Sequence, residues 1–409
     1  MKIFNTAIKE CRACYSKRLL DIISFGSLYL SDFVKKSKKP PKHPLSLVLC
    51  QNCSLLQLKH TTPPSLLYTD NYGYESGINQ TMKDHLKEIT EKSSNKLKNR
   101  KGKIIAVDIG ANDGTLLKYY SKNVYKVAIE PIKKFAGKCK KYADVVINDF
   151  FNFESYNKYL PGKKADLITA ISCFYDIDNP NKFLHDITKI LNEDGIFIIQ
   201  QNYLKSMLEQ NAFDNIVHEH LEYYTLTSLQ NLLKKHGLEV FDVELNNLNG
   251  GSFRTYICFN KKRPISKSVK NLLIAEKRLN LDKKTVYREF AKRVRDNKKT
   301  LKKFIKTEVK EGKKIYLYGA STRGNTLLQY FNLSKKLIPY AIERNPEKWG
   351  KKIASLGIPI ISEDRARKDK PDYMLVLPWF FKDEFLKRES EYLKNGGHFI
   401  FPLPNLEII

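Results

Sequence analysis

Residues 107–120 read VDIGANDGTLLKYY, and this stretch decides the fold. The apolar run Ile104–Ile109 reads as a strand, and Gly110 and Gly114 bracket a tight turn into a helix. Glycine there lets a ligand approach the backbone closely. The turn does not match the GxGxxG of dinucleotide sites. Around Asn112 it carries Asp108 and Asp113, which would repel a pyrophosphate. They suit a ligand with positive charge, such as the ammonium and sulfonium of S-adenosylmethionine. Glu130 ends the next strand, in VAIEP, and an acid about 20 positions on suits two ribose hydroxyls. Asp149 and Phe150 follow the third expected strand. They suit an adenine, one accepting from its amino group and one stacking on the base.

Working outward, apolar strands alternate with helical patterns, the signature of βαβ units and a parallel sheet. A polar helix is expected from Asn79 to Lys98, then strands at Ile104–Ile109, Tyr125–Ile129, Leu167–Ile171 and Gly195–Gln200. A helix from Leu226 to His236 is stopped by Gly237. A hairpin of Leu238–Glu244 and Ser252–Phe259 turns at NNLNGG. Basic helices fill Ser266 to Glu311, and the α/β pattern then restarts. Its strands are Lys314–Tyr318, Ile338–Ile342, Tyr373–Val376 and His398–Phe401, with a helix over Asn325–Phe331. The reading is α/β in three parts: 1–67, 68–259 and 260–409.

The first part holds Cys11-x-x-Cys14 and Cys50-x-x-Cys53, separated by a Pro- and Lys-rich loop, KKSKKPPKHP. Two such pairs brought together make a tetrahedral thiolate site for Zn²⁺. Four protein ligands leave no open position, so the metal is expected to be structural. Buried reduced cysteines without metal are the bland alternative. The odd total of seven cysteines argues against a disulfide framework. No apolar stretch reaches the roughly 18 residues of a membrane span, and the first residues do not resemble a signal peptide. A cytoplasmic protein without a membrane partner is expected. The formal net charge of +28 comes mostly from lysines spread along the chain. Such a spread reads as solvated faces rather than a nucleic-acid footprint.

The segment FDNIVHEHLEYYTL holds His218, Glu219 and His220. HxH can bind metal, but a third ligand at HEXXH spacing is absent. The other readings are a general base with an acidic neighbour, or a pair of hydrogen-bonded core histidines. Tyr72 and Tyr74, in NYGYESG, suit a sugar or carbonyl ligand. Gly251 and Arg254, in NGGSFR, either close the site or make a turn. In YGASTRG, Gly319 and Gly324 flank Ser321, Thr322 and Arg323. Hydroxyls, backbone N–H groups, a helix N-terminus and an arginine suit a phosphate, here the diphosphate of a sugar nucleotide. Glu343 ends the next strand and could meet a ribose. The alternative is a packing loop in a duplicated fold.

The order CxxC…CxxC, NYGYESG, VDIGANDG, FDNIVHEHLEYY, NGGSFR and YGASTRGNTLLQYF resembles the sugar C-methyltransferases over nearly the whole chain. That resemblance implies an N-terminal zinc-binding domain, a class I Rossmann-like methyltransferase domain and a C-terminal Rossmann-like domain. It implies a nucleotide-linked keto-deoxysugar as substrate. A histidine, His220 with Glu219 beside it, would remove the proton next to the ketone. The enolate would take the methyl group of S-adenosylmethionine. Tyr72 or Tyr74 would contact the substrate. The chain departs from the family at Val217, where a tyrosine is common, and in SCFYDID, where many members carry a histidine. Tyr175 and Asp176 stand there as substrate-side candidates. The runner-up is an O-methyltransferase on a sugar or glycan precursor. Beyond it stand an RNA methyltransferase and a cofactor-binding protein without catalysis.

Overall fold

A computed structural model of the chain describes residues 7–35, 39–69, 72–100 and 102–409. Asn71 of NYGYESG and residues 36–38 of KKSKKPPKHP lie outside these residues. Two α/β layers and one small sheet are packed around shared cores.

The central sheet has seven strands in the order Leu238–Asn246, Ser252–Phe259, Leu191–Asn202, Ala165–Ile171, Ile104–Ile109, Val124–Ile129 and Val145–Ile147. The last five run parallel, and Ser252–Phe259 is antiparallel to both neighbours. Strand Ala165–Ile171 is buried at every residue but the last, as expected when helices cover both faces of a parallel sheet. The chain reverses direction across the sheet between Ile104–Ile109 and Ala165–Ile171. That switch point opens a crevice at the strands' carboxyl ends. Helices begin where the sequence caps them. The Asn79 side chain accepts from Met82 N ahead of Gln80–Lys96, and Thr225 and Ser228 form a capping box for Leu226–Lys234.

The C-terminal sheet runs Glu407–Ile408, His398–Phe401, Tyr373–Val376, Ile315–Tyr318, Ala341–Ile342, Ile358–Ile361, Lys352–Ile353 and Phe33–Val34. Its middle is parallel, a second Rossmann-like sheet. The basic run expected over Ser266–Glu311 is two helices, Lys267–Arg278 and Lys284–Lys310, parted where Asn280 adopts φ 50°. The helix expected from Asn325 begins earlier, at Thr322, because Ser321 caps it. The strand expected over Ile338–Ile342 shortens to Ala341–Ile342.

The three parts exchange strands. Phe33–Val34 of the cysteine-bearing part pairs with Lys352–Ile353 at the edge of the C-terminal sheet. Glu222–Tyr223, just after HEH, pairs with Leu56–Leu58 of the N-terminal sheet. The HEH segment is therefore clamped between domains rather than lying on a surface loop. Among the described residues no helix is long and apolar enough to cross a membrane.

Candidate active site

The four cysteines come together as their spacing predicts. The sulfurs of Cys11, Cys14, Cys50 and Cys53 all lie within 4.8 Å of one another. Gln57 Nε2 donates to Cys11 Sγ at 3.1 Å, and Asn52 donates to Cys50 and Cys14. Donors aimed at sulfur stabilise thiolates, the form that binds a cation. The set fits a closed Zn²⁺ site with no room for a reacting ligand.

The crevice at the switch point is a cavity of about 380 Å³, lined by Asp108, Gly110, Asn112, Glu130, Asp149, Phe150, Tyr72, Tyr74 and Asp176. Gly110 has φ +71°, and a Cβ there would meet Cys173 at 3.1 Å. Only glycine keeps that wall open to a ligand. Asp108 is 4 % exposed and accepts from Thr169 Oγ1 at 2.6 Å. Burial, with Glu130 and Asp113 nearby, pushes its carboxyl up to about 7. Burial likewise pushes Glu130 up to about 7, though it accepts from the backbone of Ile132 and Asn112. Neither carboxylate has a basic side chain as partner among the described residues. A cationic ligand is what such a pair lacks. The site thus fits S-adenosylmethionine, and Phe150, 47 % exposed at the wall, offers a stacking face.

Asp113 and Gly114 do not face this cavity. Asp113 Oδ2 accepts from Gly77 N at 2.8 Å, and Asn112 Oδ1 accepts from Ser76 N at 2.9 Å. The two side chains strap the NYGYESG segment across the turn. Gly114, with φ +80°, packs on Cys139 and Tyr142 as a helix-entry residue. Part of the acidity expected for the cofactor is thus structural.

A second cavity of about 370 Å³ lies between the N- and C-terminal parts, lined by Asp32, Phe33, Lys39, Tyr72, Glu219 and Thr322 among others. Tyr72 lines both cavities, whereas Tyr74 lines the first alone. Between them sits a buried acidic pair. Asp176 Oδ2 accepts from the Tyr68 hydroxyl at 3.2 Å, and Asp176 Oδ1 has no partner among the described residues. Burial first, then Glu219, holds the Asp176 carboxyl well above the usual range. Burial pushes Glu219 up to about 7.

His220 donates from Nδ1 to the Asn215 carbonyl at 2.8 Å. A carbonyl only accepts, so Nδ1 carries the hydrogen and Nε2 of the neutral ring is bare. The ring stands edge-on to Tyr175, with centroids 4.4 Å apart. It is partly exposed and lines neither cavity. Burial, then the charge of Arg323, drives its pKa down to about 3 against the opposing Asn215 bond. It is neutral at any ordinary pH.

Several expected site residues do other work. His218 Nε2 donates to the His43 carbonyl at 3.0 Å, tying HEH to the N-terminal sheet, and its ring is 5 % exposed. It is a strut, and the metal reading of HxH falls with it. Tyr175 packs on His220 and is itself 6 % exposed. Arg254 is 1 % exposed in the sheet, paired with Glu244 at 3.2 Å and donating to Gln200. Burial in a strand keeps it from a ligand. Gly251, at φ +105°, sits where a Cβ would strike Ser206, so it serves the turn. Ser321 caps its helix, accepting from Gly324 N at 3.0 Å. Arg323 pairs with Asp214 at 2.9 Å and donates to the Asn249 carbonyl at 2.8 Å, leaving Thr322 as the residue of that loop on a cavity wall. The sequence reading missed Asp214, 1 % exposed, and Trp379, whose indole N–H donates to Asp214 Oδ2 at 3.1 Å. The available signals were a lone acid between apolar residues in FDNIV and the tryptophan of PWFF.

Three family models match the chain in succession. A zinc binding domain model matches residues 11–68, a methyltransferase domain model 78–243 and a C-methyltransferase C-terminal domain model 247–404. The C-methyltransferase NovU of Streptomyces niveus is 29 % identical over 409 residues, covering 98 % of this chain and 97 % of that one. Among solved structures, the plantazolicin methyltransferase BpumL in complex with SAH aligns at 15 % identity and a TM-score of 0.34, over 43 % of this chain and 84 % of that one. An S-adenosylmethionine-dependent methyltransferase from Clostridium acetobutylicum aligns at 13 % identity and a TM-score of 0.33, over 42 % of this chain and 92 % of that one.

Proposed function

We propose that this chain, an S-adenosylmethionine-dependent C-methyltransferase of the family joining a zinc binding, a methyltransferase and a C-methyltransferase C-terminal domain, methylates a carbon beside the ketone of a nucleotide-linked deoxysugar. The observation that carries the proposal is the sharing of Tyr72 by two cavities, the first also lined by Asp176 and the second by Glu219, the chain neighbour of His220, whose Nε2 is bare. One cavity suits the cationic donor, and the other is free for the acceptor.

Carbon is a nucleophile only as a carbanion equivalent, so a ketone and a base are both needed. His220 Nε2 takes the proton from the carbon next to the ketone. The pair moves into an enolate, whose oxygen needs a donor. Tyr72, on the wall of both cavities, and Asp176, on the wall of the cofactor cavity with its carboxyl pushed well above the usual range by burial and then by Glu219, are the candidate donors. S-adenosylmethionine, when bound, supplies an electrophilic methyl group. Asp108 and Glu130 hold its charged and ribose portions, with Asp149 and Phe150 at the adenine. Thr322 and Lys39, on the wall of the second cavity, suit the diphosphate better than the engaged Arg323.

A second reading has its own observation. Glu219 lies on a cavity wall with its carboxyl near 7, so it is the alternative base. The pH profile of kcat with S-adenosylmethionine saturating separates the two. A His220 base with a pKa near 3 gives a rate flat from about pH 5 upward. A Glu219 base must first ionise, so the rate rises through about pH 7. Mass spectrometry of reactions with S-adenosylmethionine and a panel of nucleotide-linked 4-keto-deoxysugars tests the substrate class. A gain of one methyl on a panel member is expected. No gain on any member, with the cofactor still bound, removes the sugar assignment.

A further inference from the structure

We propose that the C-terminal domain positions the base: Arg323 and Trp379, through the buried carboxylate of Asp214, fix the Asn215 carbonyl that holds His220 in the tautomer with Nε2 bare. The inference rests on the reading of His220 as base.

A neutral imidazole in water exchanges between two tautomers, and only one leaves Nε2 free to accept a proton. The Asn215 carbonyl selects it by accepting from Nδ1 at 2.8 Å. The selection is only as firm as that carbonyl's direction. Asn215 ends a single 3₁₀ turn, Phe213–Asn215, too short to be rigid alone.

What holds the turn comes largely from the C-terminal domain. Asp214 is 1 % exposed; its Oδ2 accepts from the Trp379 indole N–H at 3.1 Å and lies 2.9 Å from Arg323 Nη2 as an ion pair without hydrogen-bond geometry, and its Oδ1 has no hydrogen-bond partner among the described residues. A buried carboxylate with two such partners has one favourable orientation, because leaving it unpaired is costly. Arg323 is fixed in turn by the Asn249 carbonyl at 2.8 Å and by the Phe380 ring, 4.6 Å from its Cζ. On the other side of the turn, the Phe213 ring lies 5.3 Å from Phe331, on the helix that Arg323 opens. The central domain adds ties of its own, from Asn202 Nδ2 to the Asn215 side chain at 2.8 Å and from the Tyr223 hydroxyl to the Asn215 carbonyl at 3.4 Å. The first holds the side chain and the second the carbonyl itself, whereas the C-terminal contacts hold the residue before the carbonyl. Arg323 and Trp379 are thus positioning residues and touch no reacting atom.

The test uses the full chain with ¹⁵N-labelled histidine, comparing the wild type with Asp214→Asn and Trp379→Phe and assigning His220 through His220→Gln. The wild type is expected to show His220 with Nδ1 protonated and Nε2 bare. In both variants that pattern should average toward a mixture. Their kcat should fall by about 10- to 100-fold, the effect of a small misplacement, while cofactor affinity is unchanged. Trp379→Phe removes the indole N–H and part of the ring bulk while keeping an aromatic side chain, and decides the matter if Asp214→Asn loses cofactor binding. An unchanged His220 tautomer in Trp379→Phe, whether or not kcat falls, overturns the proposal and leaves a packing contact. If His220→Gln keeps full kcat while Trp379→Phe still scrambles the tautomer, the positioning stands and the base reading falls instead.

Discussion

Two glycine turns, one in each Rossmann-like sheet, share a plan and differ in what they leave open. Gly110 and Gly319 both follow the strand that starts their sheet's parallel core, at φ +71° and +87°. An acid closes each turn from the end of the next strand. Glu130 Oε2 accepts from Asn112 N at 2.8 Å, and Glu343 Oε2 accepts from Ala320 N at 3.2 Å. At the first turn the carboxylates stay unpaired and a cavity remains. At the second, Lys348 pairs with Glu343 at 3.3 Å, Pro378 lies 2.8 Å from where a Gly319 Cβ would stand, and Arg323 is tied to Asp214. The same fold element keeps its charge unanswered in one sheet and has it met from within the chain in the other.

This contrast can be broken by moving charge. Glu130→Gln should weaken cofactor binding by roughly 10- to 100-fold, the range of a lost charge-assisted contact. Glu343→Gln should leave it unchanged, and titration calorimetry of both variants measures the difference. If Glu343→Gln matched Glu130→Gln, the second turn would also be a ligand site.

The pH dependence sharpens the contrast. Asp108 and Glu130 sit near 7 in the free fold, well above the unfolded values of about 4. The fold therefore holds protons that the unfolded chain releases between about pH 4 and 7. Stability of the free protein should fall as pH rises across that window. A cation binds the ionised pair better, so S-adenosylmethionine affinity should rise from about pH 5 to 7, with proton release. S-adenosylhomocysteine, lacking the sulfonium, should show a shallower rise. Equal slopes would mean that the carboxyls do not sense the sulfonium.

The smallest effect is expected at the second turn's cap. Ser321→Ala should cost about 1 kcal/mol of stability, read by denaturant unfolding, with KM for the sugar nucleotide unmoved. A raised KM there would return Ser321 to the substrate.

What could be read from the sequence follows the same divide. Strand Ile104–Ile109, the Gly110 turn, Glu130 and the cysteine quartet are local patterns, where spacing alone fixes geometry. The region around the base is assembled from three domains, and spacing says nothing about that assembly. Asp113 looked like a cofactor acid because its partner, Gly77, lies 36 positions away. Arg323 looked like a phosphate ligand because Asp214 lies on another domain. His218 and His220 are equivalent in the motif. The His43 carbonyl makes one a strut, and the Asn215 carbonyl leaves the other's Nε2 free.

The central claim is that a base on the HEH segment makes a carbon nucleophile. The most direct test is deuterium uptake from D₂O into the sugar carbon beside the ketone, with S-adenosylhomocysteine in place of the donor so that no methyl can move. Enzyme-dependent uptake in the wild type, lost in His220→Gln and kept in Glu219→Gln, is the predicted result. Uptake retained by His220→Gln and lost in Glu219→Gln would transfer the role to the carboxylate, and no uptake in the wild type would contradict the carbanion route.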